Sequence, residues 1–214
     1  FGSGALGDNT TGAFNTAIGA TALNYNTKGS NNIAVGSAAL FNNKEGNYNI
    51  ATGNNALHNN TDGSNNIAMG TNALYANTTG IQNVAIGANS ISVNTTGNYN
   101  VATGTEALQS NTGSWNVANG HQALKANTTG NSNIAIGANS LGSNVGGSNN
   151  VAMGSSALQA NKTGIQNIAI GEIALSNNVS GSGNVAIGYQ TLFIGAAGSH
   201  NTAVGHNADV LSDN

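Results

Sequence analysis

The chain has 214 residues, of which only 5% are charged, and its formal net charge at pH 7 is −3. Its four basic residues, all lysine, cannot form the basic surface that neutralises phosphates, so nucleic acid is excluded as a partner. Cysteine is absent, which excludes a disulfide framework and a thiolate metal site. No apolar run reaches the roughly 18 residues of a membrane-spanning helix, so we expect no direct membrane insertion of this segment.

A pentapeptide recurs along the chain, consisting of an asparagine, a β-branched residue, an alanine, a variable residue and a glycine. It is first complete at residues 15–19, and the twelfth copy covers residues 201–205. Successive copies are 17 residues apart, except for one step of 16 between Gly104 and Gly120. Such a short fixed period is typical of repeat architectures. It predicts one elongated repeat domain over residues 1–208, and residues 209–214 are predicted to leave it toward a stalk, neck or further domain.

Each period contains a second apolar segment, a small residue followed by leucine, and then a polar turn that ends in glycine. Two glycines per period, with many Asn and Thr residues, disfavour helices. The pattern predicts an all-β fold, a parallel β-solenoid of about twelve 17-residue coils with two short strands and two bends per coil. In the pentapeptide, alternation places the β-branched and variable residues on one face and alanine on the other. We expect the β-branched residue in the interior and the alanine against a close neighbour, either the opposite strand or another chain.

Stacking identical positions at about 4.8 Å per coil places the pentapeptide asparagines in one file. Their amides can bond along the axis, as in other cross-β stacks. A second asparagine file begins at Asn9 and Asn26 and is broken at Gly195. The structural ladder is predicted for Asn32, Asn49, Asn66, Asn83, Asn100, Asn133, Asn150 and Asn167.

The predicted coil is thin, with about three apolar side chains per turn. So small a core offsets little of the entropy lost on ordering the chain. Three parallel chains that pooled their alanine faces would enlarge the core, and a homotrimer with closed symmetry is therefore the expected assembly.

The pentapeptide resembles the head repeat of YadA-type trimeric autotransporter adhesins. The nearest copies are Asn-Val-Ala-Ile-Gly at 83–87 and 184–188, and Asn-Ile-Ala-Ile-Gly at 133–137 and 167–171. The Asn-Thr-Thr-Gly-rich turns are also similar to repeats in tail fibres of phages and phage-like injection particles. The resemblance implies a left-handed parallel β-roll, a trimer, and a location outside the cell, on a cell surface or in a virion or particle fibre. The polar turn is longer here than in the adhesin heads.

The ionisable residues are scattered along the repeats. The four histidines and seven acids are dispersed along the chain, with His58 and His121 at unrelated repeat positions, and catalysis requires a nucleophile or an acid-base group with positioned partners. His200 and His206 are the closest histidine pair, but exposed turn positions are the preferred interpretation. We predict no enzyme activity, no cofactor and no metal site.

Seven of the ten aromatic residues occupy two repeat positions. One group lies after the leucine, at Phe41, Tyr75 and Phe193. The other lies immediately before the pentapeptide, where rings among amides have the chemistry of a carbohydrate-stacking surface. The preferred interpretation is instead that these rings cover edges between coils or protomers. The candidate ligand surface consists of Phe14, Tyr48, Tyr99 and Trp115.

These features predict an extracellular structural and adhesive fibre segment. It would be a rigid trimeric head or stalk that presents a surface for attachment to host cells or matrix, with a host-cell, glycan or matrix receptor as partner. One alternative is an ice-binding β-solenoid, which would use stacked threonines of the turns. Another is a receptor-binding tail fibre of a phage or injection particle. A depolymerising enzyme is disfavoured because it would need facing carboxylates, and acids are few.

Overall fold

A computed structural model describes residues 2–193 and 198–209. Within these ranges the chain forms twelve three-residue strands and no helix. The strands are β1 (Thr16–Ile18), β2 (Ile33–Val35), β3 (Ile50–Thr52), β4 (Ile67–Met69), β5 (Val84–Ile86), β6 (Val101–Thr103), β7 (Val117–Asn119), β8 (Ile134–Ile136), β9 (Val151–Met153), β10 (Ile168–Ile170), β11 (Val185–Ile187) and β12 (Thr202–Val204).

The strands form one parallel sheet in sequence order, β1 to β12. Neighbouring strands pair in register, so that Ala34 lies beside Ala51 and Ala51 beside Ala68. Each strand therefore belongs to a successive coil, and the twelve strands delimit eleven full turns. The prediction of an all-β parallel solenoid with 17-residue coils is confirmed.

The segment with the leucine is not a second strand. Its leucines have positive φ, for example 51° at Leu40 and 52° at Leu108, whereas a strand requires an extended backbone with negative φ. Adjacent coils are nevertheless hydrogen-bonded there, since Leu23 N donates to Ala39 O at 3.0 Å and Leu40 N donates to Ala56 O at 2.9 Å. The prediction of two strands per coil is therefore wrong for this segment.

The two faces of the strand are the reverse of the prediction. Ala34 is fully buried, whereas the neighbouring Ile33 is 40% exposed. The buried strand alanines and the buried leucines form one core cluster within the single chain. Because the coil is thin, the leucine of the opposite segment packs directly against the inner face of the strand. Only a side chain as small as alanine fits there. The alanines thus face the opposite segment of their own chain, and the idea that three chains pool their alanine faces is wrong.

The pentapeptide asparagines form a hydrogen-bonded file inside the coil. The Asn49 backbone N and Nδ2 both donate to Asn32 Oδ1, at 2.9 and 3.2 Å, and Asn49 Nδ2 also donates to Gly63 O at 2.8 Å. All eight asparagines of the predicted ladder are fully buried. Burial of an amide is costly unless its donors and acceptor are satisfied, and this file satisfies both in the next and preceding coils.

A second asparagine file runs beside the first. Asn43 Nδ2 donates to Asn26 Oδ1 at 2.7 Å and to Gly46 O at 2.9 Å. Asn32 Nδ2 of the first file donates to the same Gly46 carbonyl at 2.8 Å. The carbonyls of the turn glycines from Gly29 to Gly181 join the two files in this way. Gly195, where the second file was expected to break, lies outside the described residues.

The 16-residue coil keeps the strand register but interrupts the second file. Val101 pairs with Val117, and Asn116 N donates to Asn100 Oδ1 at 3.0 Å, so the sheet and the first file continue. Asn94 Oδ1, however, is buried without a hydrogen-bond partner. Asn111 Nδ2, which would reach it in a full-length coil, donates to Gly113 O at 2.9 Å.

Insertion of a threonine between Thr112 and Gly113 is expected to stabilise the protein. The longer turn would let Asn111 Nδ2 reach Asn94 Oδ1, and satisfying one buried acceptor contributes about 1 kcal/mol to the free energy of unfolding. Urea denaturation at fixed protein concentration measures this change. The control is a threonine inserted between Thr128 and Thr129, in a turn that is already complete, which should destabilise. A Thr112 insertion no more stable than the parent would contradict the explanation.

Candidate functional site

The outer face of the sheet is an extended apolar surface. In every strand the first and third side chains point outward and the central alanine points inward, as in β4, where Met69 is 44% exposed and Ala68 is buried. We call these first and third positions of β1 to β12 the sheet stripe. Nineteen of its 24 residues are Ile, Val or Met, and none is charged. The polar members are Thr16, Thr52, Thr103, Asn119 and Thr202.

The continuity of the sheet stripe distinguishes it from ordinary surface apolar residues. Single exposed hydrophobic side chains are common on soluble proteins, but long contiguous apolar patches mark interaction surfaces. Here the exposed apolar residues stack in two parallel columns because the strands are in register. The arrangement can bury apolar area against another surface of the same period.

The four aromatic residues before the pentapeptide do not form one surface. Phe14 is 87% exposed, and two coil steps separate it from Tyr48. Only Tyr99 and Trp115 are brought together, with ring centroids 4.0 Å apart and planes 13° from parallel. All four have positive φ, from 56° to 64°, a conformation that is unfavourable for bulky side chains. The same position has positive φ in coils with Asn65, so the coil geometry imposes the backbone conformation.

A different set of rings forms a continuous stack, which we call the ring file: Tyr25, Phe41, His58 and Tyr75. Tyr25 meets Phe41 edge-on at 4.8 Å, Phe41 stacks on His58 at 5.0 Å, and His58 stacks on Tyr75 at 5.2 Å. The repeat pattern grouped Phe41 and Tyr75 but left His58 among the dispersed histidines. Its position directly after a leucine was the available signal. Tyr25 lies two residues after Leu23, one position later than the other rings in the repeat, so alignment of the repeats does not group it with them.

A cleft opens at the end of the ring file, and we call it the Tyr75 cleft. Its volume is about 470 Å³. Tyr75 contributes its ring, and Asn72, Asn89, Ser92 and Val93 contribute other parts of the lining. This volume is within the range of about 300–1,000 Å³ that is common for ligand sites.

Four of the charged residues form two isolated ion pairs near the surface. Lys28 Nζ lies 2.7 Å from Glu45 Oε1, and this hydrogen bond raises the pKa of Lys28. Lys125 Nζ lies 2.7 Å from Glu106 Oε2, and hydrogen bonds from Lys125 and then from Gln122 hold the pKa of Glu106 below its ordinary value. Such exposed pairs contribute little to stability.

The predicted histidine pair has separate surroundings. His206 stacks on Tyr189 at 5.2 Å, whereas the His200 ring lies over Gly183. Across residues 2–193 and 198–209, no group of three or more His, Cys, Asp or Glu residues is placed to hold a metal ion. The same ranges contain no helix of the length and hydropathy needed to cross a bilayer.

Comparison of the sequence with models of known protein families and with curated proteins finds no match.

Proposed function

We propose that this chain is a rigid segment of an extracellular trimeric fibre, built as a left-handed β-roll, that carries an attachment surface for host cells or matrix. The observation that supports this proposal is the sheet stripe. It runs along all twelve strands, is uncharged, and is formed mainly by Ile, Val and Met side chains that a single chain leaves partly exposed.

Burial of the stripe supplies a driving force for association. Complete burial of an aliphatic side chain contributes about 1.5–3 kcal/mol, so the exposed part of each stripe residue, such as 39% of Ile86, represents roughly 0.5–1 kcal/mol. Association itself costs about 4–15 kcal/mol. A stripe of twelve coils can offset that cost, whereas one of a few coils cannot.

The shape of the stripe favours three copies around an axis. It is narrow, with only two outward columns on either side of the buried alanines. In a closed threefold arrangement, the first column of each chain packs against the third column of the next, and every stripe is used once. The coils are stiffened internally by the two asparagine files, as a fibre that holds a binding surface at a distance requires. A tail fibre of a phage or injection particle would use the same assembly.

Ice binding is less well supported by the geometry. The first threonine of the turn uses its hydroxyl within the protein, since Thr27 Oγ1 donates to Lys44 O and Thr78 Oγ1 donates to Thr95 O, both at 3.0 Å. Those hydroxyl protons are not available to an ice surface. The threonine row is also interrupted in sequence by Lys44 and Val145.

Light scattering tests the trimer. The chain is expressed with a removable trimeric coiled coil, and after proteolytic removal we expect a particle of three times the 21.1 kDa chain mass. The double variant Met69→Lys, Ile86→Lys places charges in the stripe and is expected to give a folded monomer, because burying unpaired ammonium groups is costly. A wild-type chain that remains a folded monomer or dimer would overturn the proposal.

The matched control places the same charges outside the stripe. Val145 and Val179 are 43% and 42% exposed, close to the 44% and 39% of Met69 and Ile86, and lie in the polar turns. The double variant Val145→Lys, Val179→Lys should keep the trimer. Dissociation of this control as well would show that added charge alone, and not the stripe, determines the mass.

A further inference from the structure

The ring file ends at Tyr75 with one ring face unused. One face of the Tyr75 ring stacks on His58, with the planes 23° from parallel. The next coil has Ser92 at the equivalent position, and no second ring in the described part of the chain stacks on Tyr75. The stack follows the coil axis, so the face turned away from His58 is directed toward Ser92 and borders the Tyr75 cleft.

A row of half-buried amides forms another part of the cleft. Asn55 Nδ2 donates to Asn72 Oδ1 at 3.3 Å, and Asn72 Nδ2 donates to Asn89 Oδ1 at 3.2 Å. The row runs in one direction, so it ends with the Nδ2 donors of Asn89, for which the described residues provide no acceptor. Ser92 Oγ likewise has no partner within those ranges. An amide donor and a hydroxyl are therefore available beside an aromatic face.

The Tyr75 cleft has no charged lining residue. Its lining consists of asparagines, Tyr75, Ser92 and small or aliphatic residues. At the repeat position of Asn89, the next coil has Glu106, whose Oε2 accepts hydrogen bonds from Lys125 and Gln122 at 2.7 and 2.8 Å and which does not line the cleft. A charged ligand would find no counter-ion among the lining residues. The chemistry therefore favours a neutral ligand with one apolar face and several hydroxyl groups.

We propose that the Tyr75 cleft binds a pyranose unit of a neutral glycan. The C–H face of the sugar packs on the free face of Tyr75, while Asn89 Nδ2 and Ser92 Oγ bind its hydroxyl groups. The cleft belongs to a different segment of the coil from the sheet stripe, so both surfaces can be used together. This inference rests on the proposed attachment function, because glycan binding would be the means of attachment, and it identifies a glycan as the partner.

The test measures oligosaccharide binding to the full chain by saturation-transfer nuclear magnetic resonance. The probes are neutral hexasaccharides of glucose, mannose, galactose and N-acetylglucosamine, each tested separately. We expect at least one of them to bind. Loss of the aromatic face in Tyr75→Ala should weaken that binding by about tenfold, whereas Tyr75→Phe, which keeps the face, should bind as the parent does.

A second variant fills the cleft without removing any contact of the fold. Ser92→Tyr continues the ring file by one coil and occupies the free face of Tyr75, so it should abolish binding while circular dichroism stays unchanged. The matched control is Tyr48→Ala, which removes an exposed ring outside the cleft and should bind normally. Absence of binding to every hexasaccharide, or equal binding by Ser92→Tyr and the parent, would overturn the assignment.

The outcome is independent of the trimer measurement. A monomer that binds a hexasaccharide in the expected pattern would support the cleft and contradict the trimeric fibre. A trimer that binds none of the probes would overturn the assignment of the cleft as a glycan site and would leave the fibre proposal in place.

Discussion

Asn150→Asp is expected to lower the free energy of unfolding by about 3–5 kcal/mol at neutral pH. Asn150 Nδ2 donates to Asn133 Oδ1 at 3.1 Å and to Gly164 O at 2.9 Å, inside a fully buried file. The aspartate has nearly the same shape, but it replaces both donors by a charged acceptor that faces two other acceptors. The neighbouring Asn149 is exposed, and Asn149→Asp should change the stability by less than about 0.5 kcal/mol.

The loss caused by Asn150→Asp should depend on pH in a defined direction. Burial among acceptors raises the pKa of the new carboxyl group above its unfolded value of about 3.9. The protonated form can donate one hydrogen bond, so the destabilisation is small below the unfolded pKa. It grows as the pH rises through the folded pKa. Urea denaturation at about pH 3.5 and about pH 7 measures both values, and an equal loss at the two pH values would contradict this explanation.

The period of the chain was sufficient to predict the solenoid. Glycine in two places per repeat and asparagine in two others each have a stacking role that recurs along the chain. Outside the 16-residue coil, each asparagine binds its own copy in the preceding coil, as Asn49 does with Asn32. The need for one residue type at a given repeat position can be recognised from a single sequence, because the sequence contains many copies of the repeat.

Alternation alone did not show which face of the strand is inside. Alternation places Ile33 and Ala34 on opposite faces of the strand. The prediction put the more hydrophobic Ile33 inside, which is correct only if the core is wide enough for large side chains. The interior instead holds a single layer of leucine side chains beside the strand alanines. Leu40 belongs to this layer and has a positive φ. Nothing in the sequence marks leucine for that conformation, which is usual for glycine and asparagine. The missing second strand and the reversed faces have this same origin.

The candidate site was predicted only in its chemistry. Aromatic rings beside amides were expected at Phe14 and Tyr48, but those rings are isolated. The continuous stack runs through His58 to Tyr75, and the cleft beyond it depends on the absence of a ring at Ser92. The absence of an aromatic ring from one copy of a repeated position cannot be recognised from amino-acid composition. It becomes visible only when the coils are aligned and the stacking is seen.

Stability and recognition use different segments of each coil. The asparagine files and the turn glycines hold one coil to the next, which leaves the sheet stripe and the Tyr75 cleft free to vary. This division explains why Thr52, Thr103 and Asn119 are accommodated in the stripe while the intervening alanines are invariant. Substitutions in the files should therefore change folding, and those in the stripe should change assembly.

Gly147→Ala is expected to destabilise the protein by about 3 kcal/mol or more. The Gly147 carbonyl accepts hydrogen bonds from Asn133 Nδ2 at 2.8 Å and Asn144 Nδ2 at 2.9 Å, so it joins the two files. A methyl group at Gly147 would overlap the Gly164 carbonyl oxygen of the next coil and lie 2.7 Å from Asn161 Nδ2. The coil stack would have to separate at this point, and both files would lose bonds.

The preceding glycine provides a matched control for Gly147→Ala. A methyl group at Gly146 would meet only Thr129 Oγ1, at 3.4 Å, so Gly146→Ala should be neutral or stabilise by up to about 1 kcal/mol. Because each coil contacts only its neighbours, Gly147→Ala should speed amide hydrogen exchange in the coils around residues 133–167 and leave 33–52 unchanged. Uniformly faster exchange along the chain, or equal stability of the two variants, would show that the joined files do not hold adjacent coils together.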